Sequence, residues 1–295
     1  MTRRRWPRIL GYVLGSLLLL VVALYVFASS RVSSALSQRY TVPAAALMPP
    51  DSMSMARGAH LAQVLGCRHC HGGDLGGRLL DDAPPLRVEP INLTRGTGGI
   101  GAQLTPAVFE GALRHGVGHD GRGLVVMPDY AAMTDADVVA LHAYVSSVAP
   151  VNGARQGVVV KPLGKMIFGL TGLPDFDPER FERTLTFEAR PPTGPTPEHG
   201  RYLARLTCMH CHGADLKGGE PGPPGSPAPP SLDAASRWSE EQFAAALQEG
   251  KRPSGPVLDS TFMPWDAFRH FTDEEILAIS THLKQTFGAA SAASR

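Results

Sequence analysis

"VLGCRHCHGG" at residues 64–73 places two cysteines and two histidines within five positions, and "RLTCMHCHGA" at 205–214 does so again. These two C-x-x-C-H motifs hold Cys67, Cys70, Cys208 and Cys211, all four cysteines of the chain. Four chemistries compete for them. A zinc ribbon wants its cysteine pairs about 15–20 residues apart, whereas 137 residues lie between Cys70 and Cys208. A thioredoxin-like dithiol belongs at the end of a strand in a βαβ unit, but the residues ahead of each motif follow a helical pattern. A disulfide within each pair leaves the following histidine unexplained. Covalent attachment of a c-type haem uses every position: two thiols form thioethers to the vinyl groups of one porphyrin, and the adjacent histidine falls beneath the iron. The motifs therefore predict two covalently bound haem c groups, with His71 and His212 as iron ligands.

An iron that only exchanges electrons keeps both axial positions filled, commonly with a thioether sulfur opposite the histidine. Met127 in "LVVMPDYAAMTDADVVALHAYV" and Met263 in "STFMPWDAFRHFTDEEILAISTHL" stand at matching positions. In both, Met-Pro is followed by a few residues, Thr-Asp and an amphipathic run. The proline disfavours helix at the methionine and holds an extended segment, suiting a side chain that projects from a loop. Met127 and Met263 are the expected distal ligands. Met133 is the local rival for the first iron, without a counterpart in the second half. Met209 lies inside its own motif and faces the wrong way.

The two halves repeat one order of elements. A short helix delivers each motif, with Asp51 and Ser52 as capping candidates in the first half, and Thr196 as N-cap with Pro197 at the first helical position in the second. Loops follow, then a second helix from Thr105 or Ser239. There Phe109, Leu113 and Gly116 match Phe243, Leu247 and Gly250 at a constant offset of 134, the glycines acting as helix stops. The last helix starts near Thr134 or Thr272. Thr272 with Glu275 makes a capping box, and Thr134 with Asp137 a weaker version. Val138, Leu141, Tyr144, Val145 and Val148, like Ile276, Ile279 and Leu283, fall at helical spacing and face the core.

Outside the repeat, Ile9 to Ala28 runs twenty residues without a charge, enough helix to cross a hydrocarbon layer of about 30 Å. Arg3, Arg4, Arg5 and Arg8 precede it and only Arg31 follows closely, which sets the N-terminus in the cytoplasm and the rest on the far side. A cleaved signal peptide ending at Val26-Phe27-Ala28 is the alternative. Signal cores usually run about 7–15 residues, so an uncleaved single-pass anchor in the inner membrane is the expected state. Without those four arginines the chain carries 24 Lys+Arg against 27 Asp+Glu, so no basic surface for nucleic acid is indicated. With 32 glycines and 26 prolines among 295 residues, loops should be abundant.

The stretch "INLTRGTGGIGAQLTPAVFEGALRHGVGHDGRGLVVMPDYAAMTDADVVALHAYVSSVAPV" resembles the cytochrome c subunits of membrane-bound alcohol and gluconate dehydrogenases, and the second half resembles a more general small cytochrome c domain. The resemblance implies an all-α fold of two tandem cytochrome c domains after an N-terminal transmembrane helix. It also implies electron relay from a dehydrogenase to a quinone or terminal acceptor. Those subunits typically carry three haem motifs, and this chain has two. In such folds a loop proline carbonyl accepts the proximal histidine's other N–H. Pro90 and Pro229 or Pro230 are the candidates, although Ile91 stands where a proline would directly precede the asparagine.

These readings divide the chain into a stub and anchor (1–30), a first cytochrome c domain (50–150), a linker (151–194) and a second domain (195–290). The linker should drape over both domains, and the proline-rich run at 219–230 should wrap a haem edge. His69 and His210 are expected to face solvent. His60, His115, His119, His142, His199, His270 and His282 are expected in surface or capping roles. The leading expectation is a membrane-tethered dihaem electron carrier with no catalytic residue, its haem domains on the periplasmic side. Its partners would be redox proteins: a dehydrogenase, a quinol-oxidising complex or a terminal oxidase. The alternative is a dihaem enzyme, a peroxidase or a sulfur-compound oxidoreductase with one exchangeable distal ligand.

Overall fold

A computed structural model describes residues 6–43, 54–128, 130–173, 188, 190–220 and 226–293. The proposed caps Asp51 and Ser52, the arginines at 3–5, linker residues 174–187 and 189, and residues 221–225 of the proline-rich run lie outside the described residues.

Helix α1 (Trp6–Ser37) contains a window of mean hydropathy 2.5 that is wholly uncovered by the rest of the chain. By length and composition it can cross a membrane. The first half comprises α2 (Ser54–Val64), α3 (Cys67–His71), strand β1 (Leu86–Glu89), α4 (Pro106–Glu110), which runs on into a wide π-type turn at Gly111–His115, and α5 (Asp135–Ser147). Strand β2 (Gly157–Val160) and α6 (Pro162–Thr171) follow. The second half comprises α7 (Pro197–Thr207), α8 (Met209–His212), a 3₁₀ turn at Ala235–Arg237, α9 (Glu240–Glu249), α10 (Trp265–Phe268) and α11 (Asp273–Ala293).

The helix starts follow from local chemistry. Thr105, Thr134, Thr196 and Ser239 each accept a backbone N–H from the third residue on, and Pro106 and Pro197 occupy first-turn positions where a missing N–H costs nothing. Ser239 with Gln242 and Thr272 with Glu275 form reciprocal capping boxes. Thr134 and Asp137 complete only half of theirs, because the Thr134 N–H goes to the Tyr202 hydroxyl. Gly116 and Gly250 end their helices in the left-handed region, both at φ 68°.

Each half is built on one close helix crossing. At Gly58 of α2 a β-carbon would overlap the carbonyl of Ala140 in α5, and at Gly200 of α7 it would overlap the carbonyl of Ala278 in α11. Glycine at these points lets the backbones touch. The residues expected on the inner face are there: Val138, Leu141, Val145, Ile276, Ile279 and Leu283 are buried, while Tyr144 and Val148 pack half-buried against the same core. Core side chains from the two halves form one continuous cluster.

The linker departs from a simple drape. Its start is held by Asn92, whose Nδ2 donates to the carbonyls of Val151 (2.6 Å) and Gly153 (3.1 Å). It then pairs β2 antiparallel with β1, Leu86 opposite Val160, the one two-stranded ribbon among the described residues. Next α6 packs on α1. Glu188 accepts the Asp135 N–H and Gly194 donates to Glu274, so the described linker touches α1 and both halves.

Candidate functional site

Both C-x-x-C-H motifs form a single helical turn directly after the helix that delivers them. Gly66, at φ 72°, breaks α2 from α3, and the Cys70 N–H returns to its carbonyl. In the second half the chain passes from α7 to α8 through Cys208, which is itself helical. After each histidine the backbone repeats one path. Gly72 (φ 86°) and Gly213 (φ 80°) swing it out, Leu75 and Leu216 turn it in the left-handed region at φ 57° and 61°, and the Gly77 and Gly218 N–H groups bond back to the carbonyls of His71 and His212. A left-handed leucine costs about 1–2 kcal/mol. Burial of both side chains, at 0% and 1% exposure, offsets that cost.

This path places a carbonyl beside each imidazole. His71 Nδ1 bonds the Ile91 carbonyl at 2.8 Å and His212 Nδ1 bonds the Pro230 carbonyl at 2.8 Å. A carbonyl only accepts, so Nδ1 carries the proton and Nε2 presents a lone pair, the form that ligates iron. Burial lowers the His71 pKa against the opposing Ile91 bond, which favours the neutral ring. Of the proline candidates, Pro230 takes the role in the second half. In the first half Ile91 takes it instead of Pro90, because only the carbonyl is used and any residue supplies one.

The thiols of Cys67 and Cys208 are not poised as metal-binding thiolates. Burial pushes Cys67 up to about 12 and Cys208 up to about 11, far from an activated thiolate. Among the described residues no three His, Cys, Asp or Glu side chains converge on a metal position, so the two motifs do not combine into one thiolate centre. The donor set at each motif, two cysteine thiols and a tautomer-fixed imidazole, fits covalent haem c. Met127 and Met263 pack half-buried against the core cluster that also takes Cys67 and Cys208. Met127 follows Val126, which is at φ 74°. The Met263 N–H is tied to the Asp259 carbonyl, and Trp265 donates to Leu258 across the same loop. Met133 is fully buried, its carbonyl taking two bonds from the Arg114 guanidinium.

The two halves meet through reciprocal contacts. His69, the second variable residue of the first motif, lies 3.3 Å from Asp266, three residues beyond Met263. Its counterpart His210 packs edge-on against Tyr130, three residues beyond Met127, at 5.9 Å between ring centroids. The Tyr130 hydroxyl donates to the Leu65 carbonyl just ahead of the first motif. Both histidines remain open to solvent as expected, but each also reaches the methionine loop of the opposite half. The same reciprocity holds deeper. His60, two residues past Gly58, bonds Glu275 at 2.8 and 2.9 Å, and Tyr202, two residues past Gly200, donates to Asp137 at 2.7 Å. Arg57 closes the set with a two-pronged bond to Asp137 (3.0 and 2.9 Å) and one to Glu275 (3.2 Å). Burial would raise Glu275, but the His60 bond and charge, the Thr272 N–H and Arg57 overcome it and hold the carboxyl at about 2. His60 is thus an interface residue rather than a surface one. Sequence reading missed this cluster because no spacing within either half marks a residue that pairs only across the repeat.

Residues 54–145 match the family model described as cytochrome c oxidase, cbb3-type, subunit III, and residues 197–287 match the model described as cytochrome c. Over 80% of its length the chain is 30% identical to a thiosulfate dehydrogenase of Allochromatium vinosum, covering 79% of that protein. It is 29% identical to the cytochrome c subunit of a quinone-dependent alcohol dehydrogenase from Gluconacetobacter polyoxogenes, across 79% of this chain and 56% of that one. With the cytochrome c subunit of a gluconate 2-dehydrogenase from Pantoea cypripedii it shares 28% identity, across 77% and 58%. The chain thus spans little more than half the length of the dehydrogenase subunits it matches. Each half carries its own C-x-x-C-H turn with a carbonyl-oriented histidine, inside its own matched segment, and the chain belongs to the cytochrome c family as two such domains in tandem behind an apolar N-terminal helix.

Proposed function

We propose that the protein is a two-haem electron relay tethered to a membrane by α1. Cys67 and Cys70 hold the first haem, with His71 and Met127 as axial ligands. Cys208 and Cys211 hold the second, with His212 and Met263. Haem c bound in this way supplies a reversible one-electron iron couple. The chain's own residues do the rest. The Ile91 and Pro230 carbonyls fix the imidazoles, the core excludes water, and the methionines close the distal positions to substrate.

The observation that carries the reading is the crossed pair of contacts, His69 with Asp266 and His210 with Tyr130. It sets each haem-bearing turn against the other half's methionine loop, the arrangement expected of a unit that passes electrons internally. Resemblance to dehydrogenase cytochrome c subunits supports a dehydrogenase catalytic subunit as electron donor, with a quinone-linked complex or terminal oxidase as acceptor and the haem domains on the periplasmic face. Mass spectrometry of the mature protein should show two added haem groups. The oxidised spectrum should show a sulfur-to-iron charge-transfer band with the intensity of two methionine-ligated haems. One haem, or none, overturns the proposal.

A second reading is supported by the thiosulfate dehydrogenase relative, which the chain covers more fully than the others. One distal methionine would then yield to a sulfur-compound substrate, and the second haem would carry the electrons away. A high-spin component in the oxidised protein, with haem reduction on adding thiosulfate alone, would establish it. Two fully low-spin haems, inert to thiosulfate, would leave the relay.

A further inference from the structure

Helix α6 presents a face that the described residues do not cover. Leu163, Ile167 and Leu170 recur at i, i+4 and i+7, so they share one stripe, and they are 52%, 40% and 48% exposed. The packed side of the helix is marked by its buried glycines. A β-carbon at Gly164 would strike the Pro85 backbone, and one at Gly169 would strike Ala28 of α1. Arg31 Nη1 donates to the Gly169 carbonyl at 2.8 Å, which ties the last turn of α6 to a fixed level on α1.

That level is where the uncharged run ends. From Trp6 to Phe27 the side chains of α1 are almost all exposed, whereas Ala28 and Val32 are buried. Twenty residues of helix, from Ile9 to Ala28, measure about 30 Å, the thickness of a hydrocarbon core. The α6 contact therefore falls at the boundary between acyl chains and headgroups. Arg31, the first charge after the run, gives one N–H to Gly169 and remains exposed at that same level, where a headgroup would meet it.

We infer that α6 is a membrane-surface helix, its Leu163, Ile167 and Leu170 stripe dipped among the lipids of the leaflet that α1 leaves on the haem-domain side. This rests on the tethered reading of α1 and adds a second contact with the membrane. Through β2 and its ribbon with β1, that contact sets the height and tilt of the first haem domain above the bilayer. Lipid is the occupant because the last turn of α6 is fixed against Ala28, the level at which the exposed apolar run of α1 ends.

The test uses the full-length, haem-loaded protein. Its native cysteines are consumed by thioethers, so a cysteine introduced by Ile167→Cys is the one thiol open to a nitroxide label. Leu18→Cys in α1 and Ser254→Cys on an exposed loop of the second half serve as references. Each is reconstituted in vesicles of phosphatidylcholine and phosphatidylglycerol with the irons reduced, and label relaxation by oxygen is compared with relaxation by a water-soluble nickel chelate. The label at 167 should be several-fold more protected from nickel than that at 254, open to oxygen, and shallower than that at 18. A label at 167 as open to nickel as at 254, with 18 still deep, overturns the α6 inference and leaves the anchor standing. A label shielded from both reagents means that protein covers the stripe, and also overturns it. A label at 18 open to nickel removes the anchor and the α6 contact together.

Discussion

Met263 is bracketed by bonds on both sides: its own N–H to Asp259, and Trp265 to Leu258. This loop holds its shape without help from the thioether. Met263→Ala should therefore leave the fold intact while opening one iron. In the reduced state the variant should bind carbon monoxide at one haem. The potential of that haem should fall by on the order of 0.1–0.2 V, within the ~0.8 V range that axial ligands command, while the other haem titrates unchanged. Carbon monoxide binding at both haems, or at neither, assigns the distal ligand elsewhere. The second residue-scale expectation concerns Ile91. Since only its carbonyl serves His71, Ile91→Pro, which copies the arrangement at Pro230, should keep the low-spin spectrum and shift thermal stability by about 1 kcal/mol or less. Loss of the spectrum would mean that the Ile91 side chain or N–H takes part.

Among the elements, the crossings of α2 with α5 and α7 with α11 are the least forgiving. The β-carbon added by Gly58→Ala or Gly200→Ala meets a carbonyl of the facing helix, backbone that cannot rotate away. Overpacking of this kind costs about 1–3 kcal/mol. Each variant should lose stability near the top of that range in thermal unfolding, even though alanine is the better helix former. A gain in stability would show that the helices can part freely. The sequence was legible at this scale wherever a signal is local. The caps at Thr105, Thr134, Thr196, Ser239 and Thr272, the stops at Gly116 and Gly250, and the inward stripe of α5 and α11 all depend on residues within a turn or two of each other. Features built from distant or unmarked positions were not legible. The ribbon of Leu86 with Val160 joins segments far apart in the chain. Leu75 and Leu216 adopt a backbone that leucine does not advertise. The partners of His60 and His69 lie in the other half.

For the whole molecule, the interface of Arg57, His60, Asp137, Tyr202 and Glu275 decides whether two small domains behave as one body. Each domain is built from short helices and long loops, and in the proposed reading a porphyrin completes its core. A Cys67→Ala, Cys70→Ala, Cys208→Ala, Cys211→Ala variant should consequently lack a cooperative thermal transition, and a sharp native-like one would contradict the role given to haem. Within the loaded protein the interface adds a pH dependence of definite sign. The Glu275 carboxyl sits at about 2 against an ordinary 4.5. Its stabilising share is therefore fully present above about 4.5 and is lost as pH falls from there towards 2. His60 and Arg57 stay partly open to solvent, and screening trims the share to about 2 kcal/mol. Glu275→Gln can still accept the Thr272 N–H but carries no charge for His60 or Arg57. Denaturant unfolding followed between pH 6 and pH 2.5 should show the native protein losing more stability than the variant below pH 4.5, the two curves converging in acid. Parallel curves across that range would mean that the carboxylate contributes to capping α11 and not to joining the domains.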